Sequence, residues 1–303
     1  MPTNPHHHQG HHAHHSHDDI DWAEMAAHLE REAELRLPFL EEAAAWVRGL
    51  LLEGGWGAET VGRVLDVGSG PGVATAVLAH AFPTAETVAV DSTPGLLERV
   101  TVRAEREGVH GRVSTLHAEL PDDFGELGAA DVIWTSHVVH HIGDQQAALD
   151  AFAASLTPGG MLAVVERGLG SRCLPRDIGL GRPGLQVRME AAWEDWFTRM
   201  RAELPGAVDT VEDWPGMLIR AGLEHSGTRT FLIQEQAPLS EEDRAHLHGY
   251  FARGRDMLAD DLPAEDLTTL DTLLDENSPD SILHRPDAFY LAASTVHTGR
   301  RAG

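Results

Sequence analysis

The stretch VLDVGSGPG, Val64–Gly72, sets an acid, Asp66, and then glycines at alternate positions, Gly68, Gly70 and Gly72, directly after a run of strand formers. Glycine inside an ordered element costs roughly 0.5–1 kcal/mol relative to alanine. Three so close together answer either a backbone geometry or a ligand pressed against the main chain. The sequence on either side decides which.

From Arg63 onward short strand patterns alternate with helical ones. Val64–Val67, Thr87–Val90, Arg112–Leu116, Asp131–Thr135 and Met161–Val165 read as strands; Val73–His80, Pro94–Glu107 and Asp144–Leu156 read as helices. Such alternation means a parallel sheet with right-handed crossovers. TPGG, Thr157–Gly160, reads as the turn that ends a helix and enters the fifth strand. After Glu166 a Gly/Pro-rich loop (168–184) precedes a helix carrying Met189, Trp193, Trp196, Phe197 and Met200 on one face. A helix at Asp213–Gly222, a strand at Thr228–Ile233, a long helical insert and a last strand at Phe289–Val296 complete the pattern. Upstream, residues 18–52 carry helical periodicity interrupted at Pro38, and Gly54-Gly55 closes that piece.

Composition narrows the class. The 303 residues suffice for a full core in one or two domains, and 42% hydrophobic residues suit a globular protein. A net charge of −25, with every permanently basic side chain an arginine, weighs against nucleic acid and anionic membranes. No apolar run approaches the ~20 residues that span a bilayer, and no secretory signal is evident, so a cytoplasmic location is expected. Cys173 is the single cysteine, which excludes an internal disulfide and a cysteine zinc cluster. HHHQGHHAHHSH, His6–His17, reads as a disordered leader, or alternatively as a metal-binding tail.

In a sheet of this kind ligands bind outside the carboxyl ends of the strands, where the glycines fall. A dinucleotide fingerprint, G-x-G-x-x-G, needs its third glycine at position 73, which is valine. Asp66 hinders a pyrophosphate and suits a cationic amino group. Asp91, ending the second strand, is placed for ribose hydroxyls. The bland alternative is a tight turn with Asp91 as a mere helix cap; the three features together argue for a ligand combining a nucleoside and an ammonium.

Those residues carry a resemblance. Over about Val61–Glu166 the chain resembles class I S-adenosylmethionine-dependent methyltransferases, and it is similar to actinobacterial small-molecule, natural-product enzymes. The matching motifs are VLDVGSGPG, VAVD (Val88–Asp91), DVIWTSHVVHHIGD (Asp131–Asp144) and LTPGGMLAVVE (Leu156–Glu166). The resemblance implies an α/β fold: a Rossmann-like, seven-stranded, mainly parallel sheet with helices on both faces and a helical lid. Residues 18–55 are the expected N-terminal lid segment and 56–303 the methyltransferase domain, with lid insertions at about 167–205 and 238–286. It implies S-adenosyl-L-methionine as cofactor, held by Asp66, Gly68, Ser69, Gly70 and Gly72 at its methionine end and by Asp91, Ser92 and Leu96 around the nucleoside. His117, Ala118 and Glu119 replace the family's acid-small pair near the adenine, and Ser136 and His137 lie beside the sulfonium.

The acceptor side is less defined. No N/D-P-P-Y/F segment follows the fourth strand, which sets aside amino-methylating nucleic-acid enzymes, and no Asp-Asn pair follows it for a catalytic metal. A small-molecule acceptor under a helical lid remains, with a heteroaromatic such as an indole as the expected type, acting as monomer or homodimer and with no metal. Trp22, Trp193 and Tyr250 offer a stacking wall, or are simply core. Arg182 offers a clamp for an acceptor carboxylate or carbonyl. His137, then His141, are the candidate bases, with an unperturbed imidazole pKa of about 6.5, and Glu166 is the third. Packing roles for the histidines, a nicotinamide oxidoreductase and a non-catalytic S-adenosylmethionine-binding protein stand as alternatives.

Overall fold

Strand β1 (Arg63–Val67) is the centre of the molecule, buried from Val64 onward. A strand covered on both faces reads as a continuous apolar run. Val64 faces one layer, with Val132 and Trp134, while Leu65 and Val67 face the other. Around it β2 (Glu86–Asp91), β3 (Val113–His117), β4 (Ala130–Ser136) and β5 (Leu156–Val165) pair in parallel. Strand β1 lies between β2 and β4, so the strand order reverses beside it and opens a crevice at its carboxyl end. The computed structural model describes residues 22–57, 60–166 and 168–303; the His-rich leader lies outside the described residues.

The last strand, β8 (Tyr290–Arg301), inserts antiparallel beside β5, and β7 (Leu223–Glu235) runs along its other edge. Among the described residues the sheet has eight strands rather than the expected seven. The extra one is β6 (Leu169–Arg172), within the stretch expected to be loop. Its origin is geometric. Strand β8 outruns β5, which pairs only with Val296–Arg300, and β6 pairs with the exposed edge at Leu291 and Ala293. The TPGG segment also differs from expectation: it belongs to β5, because Leu156 already pairs with Ala130 and the register shifts before Val132. The irregularity is accommodated by Gly159 at φ 81°.

One face of the sheet carries α2 (Leu37–Glu53) and α3 (Val73–Ala81), sharing a core with α6 (Leu185–Glu203), α8 (Glu241–Met257) and α9 (Ala264–Leu274). The other carries α5 (Gln145–Ser155) and α7 (Trp214–Arg220). Helix α4 (Pro94–Arg106) packs over β2 and β3. Helix α1 (Trp22–Leu35) is tied to α4 by the buried Arg103 guanidinium, which donates to Glu34 at 2.6 Å and also to Glu30. Trp22 opens α1, and its side chain lies outside the described residues. The break between α1 and α2 falls at Arg36, with Pro38 in the first turn of α2, where its missing N–H costs nothing. No helix among the described residues is long and apolar enough to cross a membrane.

Trp134 sits in the middle of β4, 1% exposed, and its indole N–H has no partner among the described residues. Trp134→Ala is expected to cost about 3–5 kcal/mol of stability by opening a cavity. Trp134→Phe keeps the apolar body and removes the unpaired donor, so it should cost less than about 1.5 kcal/mol. Urea unfolding of both variants checks the difference.

Candidate active site

Past the tip of β1 the three glycines are all left-handed, with φ of 73°, 53° and 85° at Gly68, Gly70 and Gly72. Only two of them are required by packing. A Cβ on Gly68 would stand 2.0 Å from Val138 Cγ2, and one on Gly72 would meet Val100 at 2.9 Å. A Cβ on Gly70 would meet no protein atom within 4 Å. Space kept open there, in a conformation that favours glycine, fits a ligand lying on the backbone. The loop is pinned from β2: Gly68 N and Ser69 N donate to Val90 O at 2.8 and 3.0 Å, and Gly70 N donates to Asp91 Oδ2 at 2.9 Å.

This loop floors a cavity of about 390 Å³. Asp66, Ser69 and Gly70 line it from β1, Ser136, His137 and His140 from the end of β4, and Glu32 and Arg36 from the α1–α2 break. Asp66 is 1% exposed and accepts from Thr75 Oγ1 at 2.6 Å. Burial, partly offset by that bond and reinforced by Asp91, pushes its pKa up to about 7. Ser69 Oγ is buried with no partner among the described residues. An underpaired carboxylate and an orphan hydroxyl facing one cavity fit a ligand with a cationic amino group.

The other cofactor-site candidates gather at the neighbouring strand tips. Asp91 pairs across the sheet with His117, and its Oδ1 accepts from Thr93 N at 2.9 Å. Both carboxylate oxygens therefore hold a backbone amide and keep further lone pairs for ribose hydroxyls. His117 Nε2 lies 3.0 Å from Ser92 O, Ala118 N donates to Asp91 O, and Leu96 is buried in the first turn of α4. Glu119 is exposed beside them.

A second chamber, of about 340 Å³, shares Arg36 and His137 with the first. Trp193, Tyr250, Ser171, Arg172 and Glu190 also line it. Arg172 is paired with Glu190, and burial pushes the Tyr250 phenol up, so Tyr250 stays neutral. The sequence-expected Arg182 is not here. It is exposed, and its carbonyl accepts from Arg188. Arg36 takes its place as the cationic arm, bridging Glu32 at 2.9 Å and His137 Nε2 at 3.3 Å. Nothing in its local sequence marks it; the Pro38 break is the one available signal.

The candidate bases have distinct surroundings. His137 is the one non-glycine residue with positive φ (56°) among the described residues, and its ring opens into both chambers. Burial within the protein mass, then Arg36, hold its pKa near 4, not the expected 6.5. His141 is exposed and lines neither chamber; its ring lies tilted against that of His140, with centroids 4.2 Å apart. Glu166 is 1% exposed and fully engaged: Oε1 accepts from Val138 N and Val139 N, and Oε2 lies 2.7 Å from His140 Nδ1. Burial alone would raise its pKa, but His140, His137 and the Val139 amide together lower it. Glu166 is thus a strut under the turn after β4. Donor atoms of His137, His140 and Glu166 lie within 4.8 Å of one another, but the Arg36 guanidinium against His137 already supplies positive charge there.

A parallel sheet with a glycine loop at β1, an acid ending β2 and a cavity at the β1/β4 switch point is the arrangement expected of a class I methyltransferase domain. Residues 65–162 match a methyltransferase domain model. The chain is 30% identical over 178 residues to a trans-aconitate 2-methyltransferase of Methylobacterium nodulans, covering 54% of this chain and 64% of that protein. It is 32% identical over 144 residues to a malonyl-[acyl-carrier protein] O-methyltransferase of Dechloromonas aromatica, covering 47% and 51%. The matches span between 24% and 64% of such relatives' own lengths. A solved O-methyltransferase family protein from Burkholderia thailandensis superposes with a TM-score of 0.46 at 15% identity, covering 90% of this chain and 60% of that one.

The raised pKa of Asp66 predicts that binding of a ligand with a cationic amino group depends on pH. Its raised pKa leaves the empty site largely protonated below about 7, and a cationic amino group selects the ionised form. Affinity for S-adenosylhomocysteine should therefore rise roughly tenfold from pH 5.5 to 7. It should fall again above about 8, where an α-amino group loses its proton. Calorimetry across that range tests this, and Asp66→Asn should abolish the rise.

Proposed function

We propose that this chain transfers the methyl group of S-adenosylmethionine to a small-molecule acceptor seated in the second chamber. The observation that carries the reading is the junction: Arg36 and His137 line both the cofactor cavity and the chamber walled by Trp193 and Tyr250. The aromatic wall supports a flat body, such as the indole expected from sequence. Arg36 supports a carboxylate or carbonyl on that body, the role expected of Arg182. Relatives named for trans-aconitate and malonyl acceptors point the same way.

The cofactor, when bound, supplies an activated methyl group, so alignment and exclusion of water are what the protein adds. Gly70 and Asp66 hold the methionine end, Asp91 the ribose, and the α1–α2 break closes over both. His137, neutral at pH 7, accepts from Arg36 and fixes the guanidinium at the boundary between the chambers. The active unit is read as a monomer or homodimer, in the cytoplasm.

Labelled-methyl transfer across indoles, phenols, amines and carboxylates tests the reading. Turnover is expected with flat aromatic acceptors that carry a carboxylate or carbonyl. Arg36→Ala should raise KM by about 10–100-fold, the worth of a lost charged hydrogen bond, while leaving the choice of cofactor unchanged. Absence of turnover with every acceptor class, or binding of NAD in place of S-adenosylhomocysteine, would contradict it.

A further inference from the structure

The second chamber carries a charge pattern that the methyl-transfer reading leaves unused. Arg172, at the end of β6, and Glu190, in α6, form an ion pair on its wall, and neither lines the cofactor cavity. Both side chains remain partly open, at 36% and 41% exposure. Gln186, Glu190 and Trp193 recur at i, i+4 and i+7, so one face of α6 sets an amide, a carboxylate and an indole along the chamber.

The pair is held in register by its surroundings. Gln186 Oε1 accepts from Cys173 N at 3.0 Å and from Leu174 N at 2.9 Å, which fastens the chain leaving β6 to the start of α6. The Glu190 carboxylate lies over Gly170, where a Cβ would stand 2.9 Å from Glu190 Oε1. Burial dominates the Tyr250 pKa, and Arg172 and Glu190 act on it with opposite signs. The two charges therefore sit beside the aromatic wall.

Such a pair selects by what it costs to open. A ligand with a carboxylate alone takes Arg172 from Glu190 and leaves the Glu190 charge beside it without its partner. A ligand with an ammonium alone does the converse to Arg172. A zwitterion replaces both partners at once, its carboxylate on Arg172 and its ammonium on Glu190. We infer that the acceptor is a free aromatic α-amino acid, with its ring against Trp193 and Tyr250 and its zwitterionic end on Arg172 and Glu190. This deepens the methyl-transfer reading above and rests on it. Arg36, at the boundary with the cofactor cavity, then meets an oxygen or carbonyl at the ring end. A residue within a peptide has no carboxylate and ammonium on one carbon, so it is not accepted.

Calorimetric titration of the full chain, saturated with S-adenosylhomocysteine, tests this without requiring turnover. The probes are tryptophan and tyrosine, each set against its deaminated acid, its decarboxylated amine and its N-acetyl form. The amino acid should bind about 10–100-fold more tightly than its three analogues, the worth of a charged hydrogen bond. In Glu190→Gln the amino acid should weaken by a similar factor. The deaminated acid should bind that variant at least as tightly as the wild type, because Arg172 is released from its partner. S-adenosylhomocysteine affinity should be unchanged; if the variant does not fold, the wild-type ranking decides alone. Amino acids that bind no better than their deaminated acids would overturn the inference. So would a Glu190→Gln variant that weakens every probe alike, as loss of a merely structural brace does. An amino acid that binds while neither it nor any other acceptor is methylated would instead count against the methyl-transfer reading itself.

Discussion

Everything at the site depends on how the chain leaves β1. The amides of Gly68 and Ser69 both turn onto Val90 O, and the next amide reaches the Asp91 carboxylate. Three backbone donors that would otherwise end a strand unpaired are satisfied sideways by β2. That is possible only with left-handed backbone at Gly68 and Gly70, which an L side chain adopts at a cost of roughly 1–2 kcal/mol per residue. The constraint also fixes where Asp66 points, how α3 starts and how close Val138 approaches from β4. The glycines are needed twice over: two for packing and one for the open face.

The electrostatics follow from that geometry. Among the described residues Asp66 has the Thr75 hydroxyl as its side-chain donor, and burial pushes its pKa up to about 7. Glu166, equally buried, goes down because two amides and an imidazole meet it. The difference lies in how many donors meet each buried carboxylate. Residues 30–36 close the cavity with their own charges, Glu30 and Glu34 on α4 and Arg36 on His137. The α1–α2 break and the turn after β4 are therefore joined through one guanidinium.

Much of this was legible in the sequence because it is local. The strand and helix periods, the Gly68/Gly70/Gly72 spacing, Asp91 at a strand end and the Gly54-Gly55 stop each act within a few residues. What was not legible is long-range. Strand β6 exists because β8 outruns β5, a fact of sheet length and not of the Leu169–Arg172 sequence. Arg36 and Arg182 are equally arginine, and only the α1–α2 break brings one of them to the cavity. His140 and His141 are chemically identical neighbours, separated by which one the Glu166 carboxylate, 26 residues from His140, can reach. A depressed His137 pKa likewise requires knowing that the fold buries the ring and sets Arg36, 101 residues away, beside it.

The central claim is that the open face at Gly70 is the seat of the cofactor, and Gly70→Ala tests it most directly. The added methyl meets no protein atom within 4 Å, so the variant should fold with a stability loss of about 1–2 kcal/mol from the left-handed φ alone. Calorimetric titration with S-adenosylhomocysteine should show affinity reduced by at least about tenfold, or 1.4 kcal/mol. A Gly70→Ala protein that binds S-adenosylhomocysteine as tightly as the wild type would contradict the account.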